Sequence, residues 1–307
     1  MTAPRQIIAG RTYLVTRRCT QRRFLLRPSP IVNKIISYCL AVAAQRYGVR
    51  LHVVMFLSNH YHLVLTDVRG ELPKFMEWLN RHIARALNAT MGRWENLFDN
   101  SKYSCVHLAD EGAVWARLGY TLVNPVAAGL VPRVGKWPGV WTHINAIGAA
   151  GRTIDRPRQF FRTDGDLPDQ VPLDFTQPPC FGAMSTTEFR RRLKEVVGAA
   201  QQAAVDYVLG QGRTFLGERG VLRQDPESSP TTKAPRRQRN PRIACRDKKT
   251  RIAAIKALQQ FERCYRAART AWRDGDLAAV FPAGTYWLRR HAGVCCDDHP
   301  SGPPPPE

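Results

Sequence analysis

The chain has 307 residues, 44% of them hydrophobic, enough to fill one large domain or a domain with a substantial extension. It has no run of eighteen apolar residues, and its start, MTAPRQIIAGRTYLVTRR, lacks the basic, apolar, small-residue order of a secretory signal, so a soluble cytoplasmic protein is expected. Forty-six Lys and Arg against 25 Asp and Glu give a formal net charge of +21, which favours a polyanionic partner, with nucleic acid the leading class; no lipidation motif or basic tail beside an apolar anchor points to a membrane surface.

Ile8, Tyr13 and Val15 among polar neighbours predict a strand over 7–18, and Ile31, Ile35, Tyr38 and Val42 predict a helix over 31–47 that Gly48 stops. Two β-rich runs, LHVVMFL at 51–57 and HYHLVLT at 60–66, are separated by Ser58-Asn59 and read as a hairpin. Over 71–88 the pattern is helical. Leu72, Phe75, Leu79, Ile83 and Leu87 gather on one side, and Lys74, Trp78, Arg81 and Arg85 on the other. The basic stripe reads either as a solvated face or as a phosphate track, with Trp78 available to stack a base. Arg93 and Trp94, just beyond, could also contact DNA.

A strand at 102–108 leads into a helix over about 110–124, with Asp110 as N-cap, Glu111 in the first turn, and Pro125 and Gly129 as its end. This order suits an α+β fold, a ferredoxin-like antiparallel sheet with helices on one face. Residues 1–150 are therefore taken as the core domain. Residues 151–185, rich in Pro, Gly, Asp and Arg, read as a linker or irregular arm. Residues 186–294 read as a mostly helical basic extension, with helices over 186–209 and about 250–273. Between them 233–251 carries nine Lys or Arg against one Asp and is expected to be a mobile tether. Residues 295–307, ending SGPPPPE, are expected to be a disordered tail.

Eight cysteines contain no CxxC pair, which argues against a zinc ribbon, and the run Cys295 to His299 is too cramped to read as a metal site. His60 and His62 are more informative. At i and i+2 of a strand they project to one face while Tyr61 points to the other, so two imidazoles can grip one divalent ion. A histidine pair at this spacing is common, and its context decides what it means.

That context is Ser58-Asn59-His60-Tyr61-His62 after VVMFL, followed by Gly119-Tyr120, then Asn124-Pro125-Val126 and Gly129-Leu130-Val131. The two blocks, in this order, resemble the motifs of the REP-associated tyrosine transposases, a family of single-tyrosine HUH nucleases, over about residues 7–142. Where that family often has a glycine- and asparagine-rich segment after the first strand, this chain has Arg17-Arg18-Cys19-Thr20-Gln21. The resemblance implies that His60 and His62 hold Mg²⁺ or Mn²⁺ and that Tyr120 attacks single-stranded or hairpin DNA to form a 5′-phosphotyrosine. It also implies a polar third ligand at Asn124. On a helix, Tyr120 and Asn124 share a face at i and i+4, although Asn124 also reads as the last helical residue before Pro125. A catalytically retired DNA-binding regulator is the alternative. A replication initiator ranks last, since no GxxxxGK[ST] loop is present.

Overall fold

The computed structural model describes residues 4–158, 160–232 and 241–297. The expected series is present as β1 (Arg11–Arg18), α1 (Pro30–Tyr47), β2 (Val49–Phe56), β3 (His60–Asp67), α2 (Leu72–Met91), β4 (Ser104–Leu108) and α3 (Glu111–Ala127). The strands lie in the order β2-β3-β1-β4 with antiparallel neighbours, the ferredoxin-like arrangement of an α+β chain. Helix ends follow local chemistry. Ser29 Oγ accepts the Val32 N–H at the start of α1, Pro30 occupies its first turn, and Gly48 closes it at φ 63°.

Strand parity divides the sheet. On one face Tyr61 donates its hydroxyl to Asn80 of α2 and packs against Phe56 and Phe98, so α1 and α2 cover that side. On the other, α3 crosses over His62, and α4 (Thr186–Gly210) packs outside α3. Trp115 of α3 lies 4.4 Å from the Phe181 ring and 5.1 Å from that of Phe189. The helices approach closely because position 119 is glycine, where a Cβ would come within 2.9 Å of Val196 Cγ1. Buried side chains such as Ile35, Leu40, Phe56 and Phe75 each contribute about 1.5–3 kcal/mol.

Several expectations change. The helix expected to stop at Pro125 continues to Ala127, because Pro125 forfeits only one hydrogen bond while buried Leu122 and Val126 hold the turn; Gly129, at φ 74°, turns the chain out. Residues 151–185 are not an irregular arm. β5 (Arg152–Asp155) and β6 (Gln170–Leu173) form a hairpin against α1, where Tyr38 donates its hydroxyl to the Pro168 carbonyl at 2.6 Å and meets the Phe161 ring. Ile154, Val171 and Leu173 alternate with exposed residues and join the main core, so a two-residue period was present in a segment too short and Pro-rich to display it.

The basic extension is also tied down where it is described. α5 (Gly217–Leu222) is followed by residues packed on the core, and β7 (Ile243–Ala244) adds parallel to the free edge of β4. α6 (Lys248–Arg273) and α7 (Trp287–His291) follow. The expected tether is therefore structured from 241 onward; its residues 233–240 lie outside the described residues, as do 298–307 of the expected tail. Cys295 and Cys296 run beside Phe281. Among the described residues no helix is long and apolar enough to cross a membrane.

Asp110 joins the core to this extension. Its Oδ1 caps α3 by accepting the Ala113 N–H at 2.6 Å, and its Oδ2 accepts the Arg246 and Asp247 N–H groups, each at 2.7 Å. Asp110→Ala is expected to cost about 2 kcal/mol, from one lost cap and the lost bonds from the Arg246 and Asp247 N–H groups and the Cys245 thiol, read as a lowered denaturant midpoint. An unchanged midpoint would show that water replaces all four.

Candidate active site

His60 and His62 stand at the start of β3, on the α3 face of the sheet, with ring centroids 4.9 Å apart and ring planes perpendicular. Both are backed on the side away from the opening. His60 Nδ1 lies 2.7 Å from Asn59 Oδ1, and His62 Nδ1 lies 2.8 Å from Thr16 Oγ1, its cross-strand partner on β1. An amide oxygen can only accept, so His60 carries its proton on Nδ1 and bares Nε2. Asn124 Nδ2 sits 3.2 Å from His62 Nε2; with the amide nitrogen as donor, His62 Nε2 holds a lone pair and Nδ1–H donates to Thr16. Both rings thus present Nε2 lone pairs.

Burial keeps the rings neutral. It pushes His60 down to about 4, with the Arg18 and Arg22 charges adding to the effect. His62 is held well below the ordinary histidine range by burial, then by His60, Arg18 and Arg117. Tyr120 is 44% exposed, with its ring 5.3 Å from that of His62 and nearly perpendicular to it, and the Arg117 guanidinium lies 5.6 Å from the Tyr120 ring centroid. The Tyr120 ring, the two imidazoles and the Asn124 amide therefore lie together, under the positive charge of Arg18, Arg22 and Arg117.

The donor set fits a divalent ion: two neutral Nε2 atoms, oriented from behind by Asn59 and Thr16, with the Asn124 amide beside them. Among the described residues no third His, Cys, Asp or Glu joins the pair, and the Asn124 side chain, once flipped, would offer its amide oxygen as a third donor. With no carboxylate in the set, the ion would keep its full charge for a phosphate.

Among the solved structures similar to this chain are two described as transposases. One is a REP-associated tyrosine transposase bound to a REP hairpin, at 18% identity over 55% of this chain and 94% of that one, with a TM-score of 0.40. The other is a candidate transposase of Deinococcus radiodurans R1, at 18% identity over 38% of this chain and 93% of that one, with a TM-score of 0.29. Neither likeness is close enough to carry function. No family model and no curated protein matches the chain.

His60, His62, Tyr120 and Asn124 come together, and the basic stripe of α2 does not join them. α2 lies across the sheet, on the Tyr61 face. Trp78 is only 4% exposed and stacks on His82 at 3.7 Å, so it offers no face to a base; a large indole at the border of an amphipathic helix gains more from the core than from solvent. Lys74 pairs with Glu71 at 3.5 Å and Arg81 with Glu77 at 3.6 Å, whereas Arg85 is exposed. Arg93 is nearly buried and held by Glu95 and Glu227, which also removes it from an open DNA track. Trp94 beside it is 88% exposed.

Other residues at the site carried weaker signals. Thr16 could have been found from strand pairing, and Arg117 from its i, i+3 spacing to Tyr120. Arg18 ends β1, and Arg22 lies in the turn that follows it. There Gln21 and Arg22 adopt φ of 49° and 60°, left-handed values that favour glycine. Distant bonds hold them: Asn59 Nδ2 donates to the Arg22 carbonyl at 3.1 Å, and Arg22 donates to the Thr232 carbonyl at 2.6 Å. Ser58 donates to Gln224 at 2.6 Å, and Glu227 pairs with Arg23 at 2.6 Å. Residues 222–232 thus brace both loops behind His60, a role that no local pattern reveals.

Proposed function

We propose that the protein is a metal-dependent endonuclease and strand transferase, a transposase acting on single-stranded DNA that folds into hairpins, such as repeated extragenic palindromes. The reading rests on one observation: the half-exposed Tyr120 of α3 packs its ring against His62, beside two neutral, pre-oriented imidazoles on β3. It agrees with the motif resemblance, which names the same residues. A divalent ion bound at His60, His62 and Asn124 would polarise the scissile phosphodiester and offset charge on its oxygens.

The protein's own groups do the rest. Arg18, Arg22 and Arg117 surround the point with positive charge and draw the phosphate in. The Tyr120 oxygen attacks phosphorus; the P–O3′ bond breaks, a 5′-phosphotyrosine forms, the phenolic proton is lost to solvent, and the 3′ oxygen leaves and is protonated to a hydroxyl. That hydroxyl, or another, can attack the phosphotyrosine in turn. A phenoxide is a weaker base than a sugar alkoxide and leaves more readily, so the linkage conserves the energy for rejoining.

The test is a labelled hairpin oligonucleotide incubated with purified protein and Mn²⁺. A protein-linked fragment resistant to denaturant, lost on chelation, is expected. Hairpin binding without an adduct across several metals and hairpins would instead identify a retired regulator.

A further inference from the structure

We infer that the outer face of α6 is a second nucleic-acid surface, one that holds the phosphate backbone of a duplex stem; the inference rests on the hairpin-DNA reading above. α6 has 26 residues and so extends about 39 Å, a little more than one turn of duplex. Phe261 is its one buried residue, and on the same side Leu258, Tyr265 and Trp272 turn toward the body, Tyr265 meeting the Phe281 ring at 5.6 Å.

At 100° per residue, Lys248, Lys249, Lys256, Arg263, Arg266 and Arg273 fall within an arc of about 120° centred opposite Phe261. All six are exposed, and none makes an ion pair among the described residues. The helix's single acid, Glu262, lies off that arc and pairs with Arg242 at 2.7 Å. An ordinary solvated helix mixes charges, as α4 does where Arg191 bonds both Glu188 and Glu195. α6 instead presents one sign along its whole length.

The surface is also fixed relative to the cleavage point. Asp110, the cap of α3, accepts the backbone N–H groups of Arg246 and Asp247, and Asp247 caps α6 by accepting the Thr250 N–H at 2.6 Å. One carboxylate therefore ties the start of α6 to the helix that carries Tyr120. Duplex DNA carries a charge about every 1.7 Å of axis, which a rigid row of cations of this length can follow. A membrane fits less well. The arc holds only two large apolar residues, Ile252 and Ile255, with Gln259 and Thr270 among them, too little apolar surface for insertion.

The test compares the full chain with a K256Q/R263Q/R266Q variant, glutamine being a good helix former. Each is titrated, over a range of salt, with hairpins of one loop and flank but stems of roughly half a turn and one and a half turns. The parent is expected to prefer the long stem by about tenfold or more, and the variant to bind both alike. Its log–log salt slope should flatten by about 2.7, at roughly 0.9 for each phosphate that the three removed cations no longer neutralise. Adduct formation on the short stem should be the same in both proteins. A variant that retains the long-stem preference and slope overturns the inference. So does one that loses affinity for phosphatidylserine vesicles while holding the long hairpin as before. If neither protein forms an adduct yet the stem preference is lost in the variant, the α6 surface stands and the cleavage reading fails.

Discussion

Tyr120→Phe is expected to abolish the covalent DNA adduct, a loss of at least about 10³-fold, while hairpin binding persists. Phenylalanine retains the ring that meets His62 edge-on at 5.3 Å and the Arg117 guanidinium at 5.6 Å, so packing and local charge survive. Only the phenolic oxygen is gone. The side chain is 44% exposed, which makes the substitution nearly neutral for stability and ties any loss to chemistry. The decisive measurement is the denaturant-resistant, labelled protein band. If the band persists in the variant, another nucleophile is at work and the role given to Tyr120 is wrong. Tyr61 and Tyr103 are poor substitutes: Tyr61 is fully buried and bonded to Asn80 on the opposite face, and burial pushes the phenols of both far above the usual tyrosine range.

What could be read in the chain followed the range of the interactions involved. Strand parity placed His60 and His62 together because a two-residue period is a local rule, and i, i+4 spacing placed Tyr120 with Asn124 for the same reason. Helix periodicity found α2 and its buried stripe, yet put Trp78 on the wrong side of its border; a helical wheel assigns a direction to a side chain and not the way a large ring folds back. The β5–β6 hairpin was hidden by Pro and Gly, and its partner α1 lies more than a hundred residues earlier. The brace from 222–232 to the Arg22 loop spans some two hundred positions, with bonds set by tertiary packing alone. Positive charge at the site was likewise spread over Arg18, Arg22 and Arg117, which no single run displays.

The second large effect is expected at His62 and, through it, at Thr16. His62→Gln removes the Nε2 donor and should lower Mn²⁺ affinity by at least about 100-fold, with adduct formation falling in parallel. Thr16→Val, nearly isosteric, tests how the donor is presented. Thr16 Oγ1 is the acceptor that keeps the His62 proton on Nδ1. Without it, a buried N–H is left unsatisfied at a cost of about 1–3 kcal/mol, and moving the proton to Nε2, where a turned Asn124 amide oxygen can accept it, relieves that cost. The Nε2 lone pair then disappears in most molecules. Mn²⁺ affinity should fall about 10–100-fold, the range typical for a group that orients a ligand without touching the ion. Raised Mn²⁺ should restore adduct formation in Thr16→Val and leave His62→Gln inactive, because the first variant only disfavours the competent tautomer while the second lacks the donor. Direct calorimetric titration with Mn²⁺ separates this from a folding defect, provided both variants keep the parent's circular dichroism. Equal, undiminished affinity in the two variants would remove His62 from the metal site and leave its burial beside Tyr120 a matter of packing.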